Sequence, residues 1–142
     1  MGRILCIDDY PFYADMVAEM LRKRGGHLVK SDVVPLDLAE IKAFDPDVII
    51  VSLVRRLESI SAGGMRDFYH EVEGAKAFQF IAAKAVQDVP VIITGLAVSE
   101  MDVPRGLRYE AFIEVPQKLD ALLRTIDKLI AARRKNAEIV PE

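Results

Sequence analysis

Residues 46–53 read Pro-Asp-Val-Ile-Ile-Val-Ser-Leu. The part from Val48 to Leu53 is a nearly continuous apolar run, without the alternation of a strand that has one wet face. Such a run is typical of a strand buried on both faces, as in a parallel sheet. A second run of this kind, Val89–Ile93, follows later in the chain. Together they predict a parallel sheet with helices on both sides.

Segments of helical period alternate with strand-length runs on either side of this stretch. The other predicted strands are Ile4–Ile7, His27–Val34 and Ala111–Ile113. Helices are predicted from Pro11 to the Gly25-Gly26 pair, over Leu36–Phe44, around Ala77–Ala85, and from Leu119 through Ile130. Because strand and helix alternate in this way, we expect a doubly wound α/β fold.

Composition bounds the class of protein. The chain has 142 residues, of which 51% are hydrophobic and 29% are charged, with a formal net charge of -3. This predicts one globular domain over residues 1–142 and makes nucleic-acid binding an unfavourable hypothesis. The only cysteine, Cys6, cannot form an internal disulfide, and the apolar runs are too short to span a bilayer. With no signal-peptide pattern at the N-terminus, we expect a soluble cytoplasmic protein without a membrane partner.

Two segments lack a clear period. Val54–Glu73 contains a Gly-Gly pair and mixed charge, and Gly95–Tyr109 contains a proline and a glycine. The first is longer than most connections in α/β proteins, and long connections are often functional. We expect irregular structure in both.

Polar residues stand where the predicted strands end, and in a parallel sheet those ends meet at one edge. They are Asp8 and Asp9 after the first strand, Ser52 in the third, Thr94 after the fourth and Glu114 after the fifth. Adjacent carboxylates repel each other and favour a hard cation such as Mg²⁺ between them. Alternatively, one carboxylate caps the helix that follows.

Four motifs resemble response-regulator receiver domains, the phosphorylatable modules of two-component signalling. They are Ile4-Leu5-Cys6-Ile7-Asp8-Asp9-Tyr10-Pro11, the stretch of residues 46–53, Pro90-Val91-Ile92-Ile93-Thr94-Gly95, and Ala111-Phe112-Ile113-Glu114-Val115-Pro116. The resemblance covers residues 3 to 134 in the family's order. It implies a flavodoxin-like (CheY-like) five-stranded parallel sheet of order 2-1-3-4-5.

The resemblance also implies a phosphorylation site, from which this chain departs. The acidic pair, Asp8 and Asp9, matches the Mg²⁺ ligands of the family. Ser52 occupies the phospho-acceptor position, where the family has an aspartate, and Val115 replaces the lysine that contacts the phosphoryl group. Thr94, or Gly95 if the strand is offset by one residue, fills the hydroxyl position. Phe112 fills the position of the aromatic residue that follows the switch.

The segment of about 54–73 is an insertion relative to the family, between the third strand and the third helix. It includes Arg55, Arg56, Phe68, Tyr69 and His70, at the rim of the altered site. It can cover that site or form a docking surface, and the alternative is a solvated loop.

These observations predict a stand-alone pseudo-receiver, which acts in signal transduction as a phosphorylation-independent protein-interaction module and not as an enzyme. Its expected partner is a sensor kinase or a downstream signalling protein, and a homodimer is compatible with the sequence. No cofactor is expected, and Mg²⁺ at Asp8 and Asp9 is expected to bind weakly. One alternative is a small ligand or nucleotide in the crevice at the strand ends. Another is phosphorylation of Ser52 by a kinase, or a carboxylate such as Glu58 in place of the missing aspartate.

Overall fold

The structure is a computed structural model, and it describes residues 2–8, 11–33, 37–57, 70–73, 88–96, 99–103 and 108–139. The strands are β1 (Arg3–Asp8), β2 (Leu28–Val33), β3 (Val48–Leu57), β4 (His70–Glu73), β5 (Val91–Leu96) and β6 (Ala111–Glu114). The helices are α1 (Pro11–Arg24), α2 (Leu38–Phe44) and α3 (Leu119–Ile139), with a 3-10 turn over Glu100–Asp102. No helix in these ranges is long and apolar enough to cross a membrane.

Five parallel strands form the sheet in the order β2-β1-β3-β5-β6. With β5 and β6 as the fourth and fifth predicted strands, this confirms the order 2-1-3-4-5. The chain goes outward from β1 to β2 and then returns past β1 to β3. Strand order therefore reverses between β1 and β3, which is where crevices form in open α/β sheets.

The first helix begins and ends where the sequence predicts. α1 starts at Pro11, whose missing N–H costs nothing in the first turn of a helix. It ends at Arg24, and the N–H of Gly25 donates to the Leu21 carbonyl at 2.8 Å. The last helix, α3, continues to Ile139, beyond the residues that marked it in the sequence. The helix predicted over Ala77–Ala85 lies outside the described residues.

The central strand is longer than its apolar run. β3 continues through Leu57, and Val54–Leu57 pairs antiparallel with β4. The prediction of irregular structure throughout Val54–Glu73 is therefore wrong at both ends of that segment. Strand pairing is made by backbone groups, so polar residues such as Arg55 and Arg56 can extend a ladder that hydrophobicity does not signal.

The register of β3 fixes the place of β4. Val54 pairs with Leu96 of β5 and also with Glu73 of β4, so β4 lies on the side of β3 that faces β1. The ladder between β1 and β3 ends at the pair of Ile7 and Val51. β4 therefore occupies the position in the sheet beyond the carboxyl end of β1.

Two apolar layers cover the faces of the sheet. On one face, α1 and α3 pack on Cys6, Ile50, Ile92 and their neighbours. On the other face, Ile41 of α2 packs with the alternate set of strand residues, among them Leu5, Ile49 and Ile93. Burial of both faces explains why the strands are apolar at consecutive positions.

Candidate functional site

Two buried hydroxyl groups meet at the carboxyl edge of the sheet. Ser52 and Thr94 are paired in register on β3 and β5, and the exposed fractions of the two residues are 2% and 1%. The Thr94 hydroxyl donates to Ser52 Oγ at 3.1 Å. A buried hydroxyl without a partner costs about 1–3 kcal/mol, so this bond is what allows both groups to lie under the edge.

Thr94 lies inside β5 and not after it, because β5 extends to Leu96. The strand prediction of Val89–Ile93 was therefore offset by a few residues. Ile92 and Ile50 pack under α1 and α3. Thr94 is two residues after Ile92 on its strand, and Ser52 is two residues after Ile50, so each hydroxyl lies on the same face as these core residues. The hydroxyl pair thus belongs to the α1 and α3 face, and Thr94, rather than Gly95, brings a side chain to Ser52.

Val115 follows directly after β6 and is part of the core. It is 1% exposed and packs with Ile113 in the layer beneath α1 and α3. Its backbone N–H donates to the Gly95 carbonyl at 2.9 Å, so it lies next to the end of β5. A hydrocarbon side chain therefore stands on the same face and at the same edge as the hydroxyl pair.

Phe112 lies on the opposite face of the sheet. It pairs in register with Ile93 and packs, partly buried, against the layer that includes Ile41 of α2. Phe112 therefore does not contribute to the face that carries Ser52 and Thr94.

The acidic pair is described only in part. The last pair in the ladder between β1 and β3 is Ile7 with Val51. Asp8, the last residue of β1, follows Ile7, and Ser52 follows Val51 on β3. The two backbone positions are therefore neighbours at the carboxyl edge. Asp9 lies outside the described residues, and a Mg²⁺ site at Asp8 and Asp9 stays a prediction. Among the side chains that the structure describes, no three acidic, histidine or cysteine groups form a metal cluster.

The interior beneath this edge is dry. Cys6, on β1 and on the same face, is fully buried, and desolvation raises the pKa of its thiol to about 12, with a smaller opposing effect of the Arg22 charge. A charged group is strongly disfavoured in such surroundings unless it is paired. The neutral Ser52, Thr94 and Val115 side chains suit them.

No protein-family model and no curated protein matches this sequence. The fold, however, is similar to solved structures along nearly the whole chain. One is the N-terminal domain of a response regulator/sensory box/GGDEF three-domain protein from Carboxydothermus hydrogenoformans, with a TM-score of 0.57 and 19% identity over 95% of this chain and 98% of that one. Another is a response regulator receiver modulated diguanylate cyclase from Pelobacter carbinolicus, with a TM-score of 0.61 and 16% identity over 98% and 100%.

A third similar structure is the signal receiver domain of a signal transduction histidine kinase from Syntrophus aciditrophicus. Its TM-score is 0.55, with 21% identity over 93% of this chain and 92% of that one. The fold is that of a receiver domain. Ser52 and Val115, which the resemblance in the sequence predicts at the acceptor and lysine positions, both lie near the carboxyl edge on one face of the sheet, and their roles stay a prediction.

One contact network was not expected from the sequence. His27 has no metal-ligand spacing, but its Nδ1 accepts a hydrogen bond from the Gly2 N–H at 2.9 Å, and its Nε2 lies 2.6 Å from Asp127 Oδ1. Because Nδ1 is an acceptor, the ring proton is on Nε2 and is donated to Asp127. His27 thus ties the start of β1 to α3, a structural role that only long-range contacts disclose.

Proposed function

We propose that this chain is a receiver-fold module that acts in signal transduction through protein partners, without phosphorylation of an aspartate. The hydrogen bond between Thr94 and Ser52 is the main observation that supports it. In this bond Thr94 donates and Ser52 accepts, so each of the two buried hydroxyls has a hydrogen-bond partner within the protein.

The chemistry of the acceptor position supports the same proposal. Ser52 has no carboxylate for the formation of an acyl phosphate, and its hydroxyl oxygen accepts a hydrogen bond from the Thr94 hydroxyl. A serine hydroxyl needs an adjacent base to be an effective nucleophile. Val115, buried at the neighbouring position, supplies no positive charge to a phosphoryl group.

Access to the edge also supports it. β4 pairs with β3 beyond the carboxyl end of β1, and so adds backbone next to the place where a phosphodonor would approach Ser52. The 2% exposure of Ser52 also argues against its phosphorylation by a protein kinase in the folded state. Glu58, the alternative acceptor, lies outside the described residues.

A surface at the far edge of the sheet favours a role in protein interaction. Met101, in the 3-10 turn between β5 and β6, is 94% exposed. Beside it, the Tyr109 hydroxyl donates to Glu100 Oε2 at 2.6 Å, and this bond to a carboxylate raises the pKa of Tyr109. An exposed methionine next to an ordered aromatic residue is a surface that suits an apolar partner.

The test is incubation of the purified protein with acetyl phosphate and Mg²⁺, followed by intact-mass measurement. We expect no phosphoryl adduct, while a receiver domain that has its aspartate, treated in parallel, gains one. A hydroxylamine-sensitive adduct on any carboxylate of this chain would refute phosphorylation independence.

A second measurement distinguishes the proposed interaction module from the alternative, a protein that binds a small anionic ligand or nucleotide at the strand ends. Thermal unfolding is followed with nucleotides and flavins, with and without Mg²⁺. We expect no shift of the midpoint. The alternative would be supported if a ligand raised the unfolding midpoint of the wild type and of the Met101→Ala control but not that of Ser52→Val. That result would refute the proposal of an interaction module.

A further inference from the structure

An open depression lies over the outer face of α1. Its volume is about 770 Å³, and its walls come from α1 and from Ser31 of the edge strand β2. The helix lines it with Asp15, Met16, Glu19, Met20, Arg22 and Lys23. We call this set the α1 face.

The α1 face changes sign along the helix. Its carboxylates, Asp15 and Glu19, precede its cations, Arg22 and Lys23, and the two methionines lie between the ends. The opposite side of the same helix, which includes Val17, Ala18 and Leu21, is fully buried against the sheet. The α1 face is therefore the part of the helix that is left for a partner.

The charges of the α1 face are only weakly neutralised within the chain. Glu19 lies 3.7 Å from Arg22 and 3.9 Å from Lys23, and the three side chains are between 44% and 74% exposed. Exposed pairs of this kind contribute about 0.2–1 kcal/mol, so Glu19 and Lys23 can exchange partners at little cost. The Arg22 guanidinium is held in place, because it also donates to the Val29 carbonyl at 3.0 and 3.3 Å. Asp15 accepts a hydrogen bond from Ser31, which fixes one carboxylate at the rim.

We propose that the α1 face binds a second copy of itself, with the two helices antiparallel. A two-fold axis near Met20 brings the carboxylates of one helix, Asp15 and Glu19, close to the cations near the end of the other. By symmetry, the cations of the first helix lie close to the carboxylates of the second. Such an interface is self-complementary, as the symmetry of a dimer of two identical chains requires. The helix dipoles also oppose each other in this arrangement.

The methionines supply the apolar centre of this interface. Met16 and Met20 line the depression and are half-buried, Met20 in part against the core beneath α1, and their unbranched, polarisable side chains can adapt to a facing surface. One helix from each copy buries less than the roughly 1,200 Å² of a typical stable interface. The dimer is therefore a weak one, formed reversibly with increasing concentration.

This inference does not depend on the proposed function, because its readout is the oligomeric state and not phosphorylation. Sedimentation velocity is measured from micromolar to millimolar concentration on the wild type, Asp15→Lys and Lys23→Asp. Asp15→Lys leaves the α1 face mainly positive and Lys23→Asp leaves it mainly negative. We expect each variant alone to dimerise at least about tenfold more weakly than the wild type, since like charges then face each other.

The decisive arm is the mixture of these two variants. In a mixed dimer, each reversed charge meets an opposite one, so we expect dimerisation to return to about the wild-type level. Lys128→Asp, on the exposed side of α3, is the matched control, because it changes the net charge as Lys23→Asp does but leaves the α1 face intact. Far-ultraviolet circular dichroism and thermal unfolding verify that each variant is folded.

Three results would overturn the proposal. They are a wild type that stays monomeric at the highest concentration, a mixture no more associated than its components, and an equal effect of Lys128→Asp and Lys23→Asp.

Discussion

The two edges of the parallel sheet handle polar groups in different ways. At the amino edge, the Arg3 guanidinium lies 3.9 Å from Asp45, and the backbone N–H of Arg3 donates to Asp47 Oδ2 at 2.9 Å. Arg133 of α3 closes the same edge by donating to the Pro46 carbonyl at 2.7 Å. At the carboxyl edge, the buried polar side chains that the structure describes are two neutral hydroxyls.

The difference follows from access to water. Arg3 and Asp45 have side chains that are 52% and 71% exposed, so their charges remain solvated at little cost. Ser52 lies where solvent does not reach, and a charge there would need a compensating ion. The buried polar side chains described at the carboxyl edge are therefore neutral, while those at the amino edge carry solvated charges.

The largest expected effect comes from giving the carboxyl edge a charge. Ser52→Asp should lower the free energy of unfolding by about 3–5 kcal/mol at neutral pH, because it buries an unpaired carboxylate. The loss should shrink as the pH falls and the carboxyl group is protonated. Urea unfolding at several pH values measures it, and Ser52→Asn is the uncharged control. Equal losses for the two variants at all pH values would mean that the edge is open to water.

Cys6 lies between the two edges, and the pKa of its thiol reports how strongly the interior of the sheet is shielded from water. Its folded-state pKa is raised by burial from 9.0 to about 12, so above pH 9 the unfolded thiol ionises first. Stability should therefore be complete below pH 9 and decline above it, by at most about 1.4 kcal/mol per pH unit. Chemical unfolding between pH 8 and 10 is compared with Cys6→Ala, in which this slope should be absent. A wild type with the same slope as Cys6→Ala contradicts a desolvated thiol.

A third measurement isolates the hydroxyl pair. Ser52→Ala should cost about 1–3 kcal/mol, since the Thr94 hydroxyl then loses its acceptor. Thr94→Val in the same background should cost little more, because neither polar group is left unpaired. The double-mutant cycle, read by urea unfolding, gives the coupling energy. Strictly additive losses would show that the two hydroxyls do not depend on each other.

The smallest effect is expected at the amino edge. Arg3→Gln removes the exposed ion pair with Asp45 but keeps the backbone bond to Asp47, so the stability should change by less than about 1 kcal/mol. Added salt should reduce the difference further. A loss as large as that of Ser52→Asp would erase the contrast between the edges.

The fold was largely predictable because its strands are buried on both faces. Apolar runs in Val48–Leu53 and Ile4–Ile7 indicate such burial directly, and the alternation with helical segments predicts a parallel sheet. The strand order came only from the resemblance to receiver domains. The extension of β3 to Leu57 and the pairing with β4 were not predictable. Those residues are held by backbone hydrogen bonds to a segment far along the chain, and side-chain pattern carries no signal for that.

The site was predictable in outline only. The order of the motifs predicts that Ser52, Thr94 and Val115 lie toward the carboxyl edge of the sheet, but the distance between two hydroxyls depends on register. A shift of one residue would turn Thr94 to the other face of the sheet and bring Gly95 into its place. The sequence left both open, and the structure pairs Ser52 with Thr94.

The burial of Cys6 has a practical consequence for biophysical work. As the only cysteine, and one with no solvent exposure, it should not react with maleimide or methanethiosulfonate reagents while the chain is folded. A cysteine introduced at any exposed position would then be the only site that takes a fluorophore or a spin label. With two such cysteines introduced, distances between labels can be measured in the native background, without first replacing a core residue.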